Sequence, residues 1–203
     1  MNGLRAISLH PWPVRVMHWI NAAAIIAMIG SGWGIYNDSV IIPGVHFPHP
    51  IRLGTWASES LQWHFAVMWV LVLNGLAYLA YGLGTGRLRQ RLLPIRGAEI
   101  VQTVRDTLRL HLAHEDIRTY NAVQKLLYIG VIAAVILQVL TGLAIWKPVQ
   151  LAELTWLFGG FQTARLLHFL GMAAIAGFVA IHVALAVLVP RTLLAMVTGG
   201  PRL

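Results

Sequence analysis

Four apolar runs organise the chain: roughly Val14–Tyr36, Ser60–Gly82, Ala122–Trp146 and Ala164–Val189, with polar or Pro- and Gly-rich stretches between them. Each exceeds the ~20 residues that a helix rising ~1.5 Å per residue needs to cross a ~30 Å hydrocarbon core. No fifth run exists, so both termini are expected on one side. The predicted class is all-α: an integral membrane four-helix bundle, read as one domain over residues 1–203. Between the second and third runs, Ile100, Val101, Val104, Leu108 and Leu112 recur at helical spacing, with Arg105, Asp106 and Arg109 among them. That pattern predicts an amphipathic segment lying on the membrane face or packing under the bundle, with partner docking as the alternative.

Composition agrees. The chain is 58% hydrophobic and 11% charged, where a soluble domain has about 25% charged residues, and its mean hydropathy is +0.70. There is no cysteine, which excludes disulfides, thiolate zinc sites, iron–sulfur clusters and covalent haem attachment. Met1 to Trp12 has no apolar run of its own, so the N-terminus does not read as a cleaved leader.

The net charge of +8 changes the picture only through its distribution. Arg5 and Arg15 lie in or next to the N-terminal arm, Arg191 and Arg202 in the C-terminal tail. Arg87, Arg89, Arg91, Arg96, Arg105, Arg109 and Arg118 fill the middle loop, and Lys125 stands at its edge. The 37–59 and 147–163 loops and their edges hold only Arg52, Lys147 and Arg165. Basic loops stay cytoplasmic, which predicts N-in and C-in. The charge then needs no nucleic acid. Seven of the eight tryptophans fall near predicted span ends, as an interfacial belt would; Trp69 lies inside the second span.

Four of the nine histidines fall inside the spans: His18, His64, His168 and His182. His168 and His182 are fourteen residues apart on the last span, which returns them to within ~40° of one face, ~21 Å apart in height. His18 lies about one turn in from the cytoplasmic start of the first span, and His182 about two turns in from the cytoplasmic end of the fourth. His64 and His168 lie at matching depth near the outer side. Polar residues in a span mark function by default, and imidazole is an axial haem ligand. The expected pairs are His18–His182 and His64–His168, holding two non-covalent haem groups stacked across the membrane. Zinc would want three or four ligands at one level, and few intramembrane carboxylates exist for a cation site. Hydrogen bonding between helices is the structural alternative for each histidine.

Smaller features have two readings each. Gly30, Gly32, Gly34, Gly75, Gly171 and Gly177 would let a flat macrocycle approach backbone, or would serve ordinary small-residue packing. Arg15 and Arg165, each three residues before a histidine, would pair with haem propionates or snorkel to headgroups. His10, His46, His49, His111 and His114 read as solvated.

The Arg15-x-x-His18-Trp19 start, Trp63-His64, Tyr120-Asn121-x-x-Gln124-Lys125 and Arg165-x-x-His168…His182 resemble the bacterial cytochrome b561 and Ni-Fe hydrogenase cytochrome b superfamily, over nearly the whole chain. That superfamily includes the gamma subunit of respiratory formate dehydrogenase. The resemblance implies haem b, the same histidine pairing, a multi-pass protein of the bacterial inner membrane, and a quinone site near the start of the third span. Asn121 would bond the quinone, with Gln124 and Lys125 beside it; a polar helix start with Asn121 capping and Lys125 snorkelling is the alternative. The implied function is transmembrane electron transfer between quinone and a periplasmic partner: a molybdenum oxidoreductase, a hydrogenase or a c-type cytochrome. A stand-alone quinol or superoxide oxidoreductase is the rival within the redox class. A transporter or scaffold with structural histidines is the rival outside it.

Overall fold

The computed structural model describes residues 10–86, 88 and 122–199. Among the described residues there are four long apolar helices: α1 (Trp12–Asp38), α2 (Ala57–Gly84), α3 (Ala122–Trp146) and, beyond a short α4 (Ala152–Leu157), α5 (Phe161–Leu188). α6 (Pro190–Thr198) follows. The four spans expected from the apolar runs are these four long helices, and no strand occurs among the described residues. The chain is an all-α integral membrane protein of the four-helix class. Helices suit this environment because every backbone bond is made within the element. Ile26, Leu73, Ile181 and Val187 are 61–64% exposed, an outward apolar surface that lipid covers. The amphipathic segment expected at 100–112 lies outside the described residues.

The chain divides into two compact units: residues Met1–Tyr78 with Val179–Leu203, and residues Leu79–Phe178. In the first, α1 starts behind Pro11, with Pro13 in its first turn, where fixed φ favours the helix and no amide is lost. Trp33 stacks on Phe47 at 4.8 Å, and the Asn37 side chain exchanges two hydrogen bonds with the Phe47 backbone. These contacts fold the first loop back onto α1. The Leu53 amide then donates to the Gly30 carbonyl at 3.0 Å. Glu59, in the first turn of α2, accepts the Thr55 amide at 2.8 Å and its hydroxyl at 2.6 Å; a carboxylate there also meets the positive end of the helix dipole.

Deeper in this unit, Asn74 on α2 donates to the Met17 carbonyl and to Asn21 Oδ1, both at 2.8 Å. Interhelical polar bonds inside a membrane contribute ~0.6–1.7 kcal/mol. Asn74→Leu is therefore expected to lower resistance to denaturation by about 1 kcal/mol, read by circular dichroism during titration with a denaturing detergent. No loss would show that the α1–α2 clasp is energetically idle.

Pro190 begins α6, and Gly199, at φ 98°, ends it, the usual Pro-start and Gly-stop asymmetry. Arg15 donates from Nη1 to the Val197 carbonyl at 2.7 Å, placing a cation at the negative end of α6.

In the second unit, Gly159 and Gly160 take left-handed φ values of 76° and 94°, which ends α4 and turns the chain into α5. Thr155 Oγ1 lies 3.1 Å from the carbonyl of Ala144, tying α4 back to α3.

Candidate haem-binding site

Within the first unit, α1 and the end of α5 bring His18 and His182 together, with ring centres 6.1 Å apart and planes at 66°. This spacing tests whether one iron fits. With a metal–imidazole bond of ~2.0 Å and a ring centre ~1.1 Å from its nitrogen, two imidazoles that share one metal would have centres at most about 6.2 Å apart. The observed separation fits a shared metal, and it also lies in the range of an ordinary edge-to-face ring contact. The ring of His18 meets Trp19 edge-on at 5.4 Å.

His64, on α2, places Nδ1 2.9 Å from Ser31 Oγ on α1. The neighbouring Gly32 passes the same ring: a Cβ there would lie 3.7 Å from its Cε1. In the second unit, His168 on α5 repeats the arrangement. Its Nδ1 is 2.9 Å from Thr141 Oγ1 on α3, and a Cβ on Gly142 would lie 3.3 Å from its Cε1. Ser31 and Thr141 are fully buried.

Arg15, besides its bond to Val197, has a buried Nε with no hydrogen-bond partner among the described residues. Arg165 donates to Gln162 Oε1 at 3.2 Å and sits 6.0 Å over the Phe161 ring. Asn121 lies outside the described residues; Gln124 and Lys125 fall in the first turn of α3. His46 and His49 are exposed on the first loop, and His111 and His114 lie outside the described residues.

The glycines divide between the two readings. A Cβ on Gly30 would touch the Leu53 backbone at 3.4 Å, one on Gly34 would fall on Ser60, and one on Gly171 would reach Gln138 Oε1 at 2.9 Å. Those three serve chain packing. Gly32 accommodates the His64 ring, and Gly75 and Gly177 have nothing within 4 Å. Sequence reasoning missed Ser31, Thr141, Asn21 and Asn74. The one available signal was a hydroxyl residue followed by glycine, Ser31-Gly32 and Thr141-Gly142, inside two apolar runs.

Long apolar helices that carry histidines inside their spans are the arrangement that a membrane cytochrome of the b type would need. Residues 9–199 match the family model for prokaryotic cytochrome b561. The chain is also 44% identical over 192 residues to a protein of Azospira oryzae whose name describes it as a protein-methionine-sulfoxide reductase subunit, YedZ1. The match covers 95% of this chain and 96% of that protein. The chain belongs to the prokaryotic cytochrome b561 family, whose members are multi-pass haem proteins of the inner membrane.

Proposed function

We propose that this chain carries electrons across the inner membrane between the quinone pool and a periplasmic redox partner, holding two haem b groups. His18 and His182 are the ligands of an inner haem, and His64 and His168 those of an outer one. The observation that carries this reading is the 6.1 Å separation of His18 and His182, inside a set of four intramembrane histidines paired by depth. The clustering of Arg and Lys in the termini and middle loop supports N-in, C-in, which puts His18 on the cytoplasmic side.

Bound haem supplies a one-electron iron centre whose potential depends on ligands, hydrogen bonds and burial. The chain does the rest. Its imidazoles would hold the groups at two depths, which would direct charge along the membrane normal, where each elementary charge crossing 100 mV is worth ~2.3 kcal/mol. Arg15, with its orphaned buried Nε, neutralises a propionate on the inner side, and Arg165 does so on the outer side. Asn121, which precedes α3 in the sequence, is the residue we assign to hydrogen-bond the quinone, with Gln124 and Lys125 as further candidates. The relative's name favours outward flow to a partner that reduces protein methionine sulfoxide, and of the partners that the sequence resemblance implies, a periplasmic molybdenum oxidoreductase is the one we assign. Quinol oxidation releases two electrons and two protons; reduction of a sulfoxide to a thioether consumes two of each and releases water.

Haem extracted from the purified protein and quantified per chain is expected at two. None, in cells supplied with haem, overturns the proposal. One would remove one of the two pairs, and His64→Ala against His18→Ala would identify which.

A further inference from the structure

The two hydroxyls beside the histidines carry one step more. Ser31 Oγ lies 2.8 Å from the Ala27 carbonyl and 3.1 Å from that of Met28. Thr141 Oγ1 lies 2.7 Å from the Leu137 carbonyl and 3.3 Å from that of Gln138. A hydroxyl has one proton, and a carbonyl can only accept. We assign that proton in each case to the carbonyl four residues before, the shortest contact each hydroxyl makes and the usual bond of a hydroxyl residue within a helix. The oxygen then faces the ring with lone pairs only, and a 2.9 Å contact to Nδ1 is a hydrogen bond only if Nδ1 carries the proton. A neutral imidazole with a proton on Nδ1 has its free lone pair on Nε2. The following glycine lets the ring edge lie along the helix backbone, with Cε1 against residue i+1. The same device occurs twice, on α1 for His64 and on α3 for His168, each within its own unit.

We propose that Ser31 and Thr141 are positioning residues that lock His64 and His168 in the Nδ1–H tautomer, present Nε2 of each to iron, and lower the potential of the haem so held. The inference rests on the assignment of His64 and His168 as haem ligands. An acceptor on the far nitrogen raises the basicity of a ligating imidazole, which favours ferric over ferrous iron. A hydroxyl does so without removing the proton, as a buried carboxylate tends to. Loss of one such bond is expected to shift the ferric-to-ferrous ratio at fixed potential by about fivefold, or ~40 mV for one electron.

The test is a redox titration of the purified holoprotein, followed by haem absorption and low-spin electron paramagnetic resonance. The proteins are wild type, Ser31→Ala, Thr141→Val and Thr141→Ser, and the outer haem is the one that His64→Ala loses. Ser31→Ala and Thr141→Val are each expected to raise the potential of that haem and alter its g values, leave the other haem alone, and be mimicked by nothing in Thr141→Ser. Loss of the outer haem from Thr141→Val but not from Thr141→Ser supports the proposal equally. Unchanged potentials and g values in Ser31→Ala and Thr141→Val overturn it. So does a Thr141→Ser shift as large as that of Thr141→Val, since volume and not the hydroxyl would then be the cause. Shifts in two different haems would support the hydroxyl lock and overturn the shared-haem assignment of His64 and His168. A wild type without haem overturns the parent reading and this one with it.

Discussion

His18→Ala and His182→Ala are each expected to reduce haem from two to about one per chain, and to remove the same haem. The reason is geometric. The two rings sit 6.1 Å apart, within the ~6.2 Å open to two imidazoles that share one metal, so under the proposed assignment each would supply a ligand to the same iron. Loss of an outer-shell partner of a ligand already costs ~10–100-fold in metal affinity or activity; loss of the ligand itself exceeds that. Quinol-dependent electron transfer is therefore expected to fall by more than ~100-fold in both variants. His46→Ala and His49→Ala, at exposed positions on the first loop, are expected to keep both haems and near-native transfer. Extracted haem, read with the absorption spectrum of each variant, decides the matter. Loss of different haems from His18→Ala and His182→Ala would break the pair. Loss of none would make the ring contact a structural one.

The spans were legible because an apolar run of over twenty residues encodes its own length and needs no partner to be recognised. Height was legible too. Residue count along a straight helix converts directly to depth, which is why the sequence pairs His18 with His182, whose rings lie 6.1 Å apart. Rotation about the helix axis was not legible. Ser31 and Thr141 each bond the carbonyl four residues before them, the ordinary habit of hydroxyl residues in apolar helices. Nothing in the sequence separates a hydroxyl that does only this from one that also faces a ring. The glycines failed for a related reason: small residues permit close approach without naming what approaches, and Leu53, Ser60 and Gln138 occupy the places open to a macrocycle at Gly30, Gly34 and Gly171. α6 was hidden by length. Its Pro190 and Gly199 were visible punctuation, but nine residues after a long apolar run read as a tail.

Gly54→Ala is expected to cost about 3 kcal/mol of stability and to loosen the outer haem selectively. Ser60 is fully buried and wedged from two sides. A Cβ on Gly34 would fall on its hydroxyl, and a Cβ on Gly54 would lie 2.6 Å from its amide nitrogen and 2.8 Å from its Cα. Gly54 also has φ 98°, where an L-residue is strained by ~1–2 kcal/mol. The overpacking adds ~1–3 kcal/mol, because backbone and not a flexible side chain must yield. Ser60 is one turn before His64, so displacing it moves the start of α2 along α1 and pulls the His64 ring off Ser31, now 2.9 Å away. Gly44→Ala is the matched control: its φ is 83°, and an added Cβ there meets nothing within 4 Å. That variant has the backbone strain alone, ~1–2 kcal/mol, and is expected to retain both haems. Denaturation followed by circular dichroism, with haem content measured on the same samples, separates the two. Equal losses in the two variants would mean that the wedge around Ser60 does not set the height of α2. A larger loss in Gly54→Ala, with the haem that His64→Ala removes going first, would tie the first loop to the outer site.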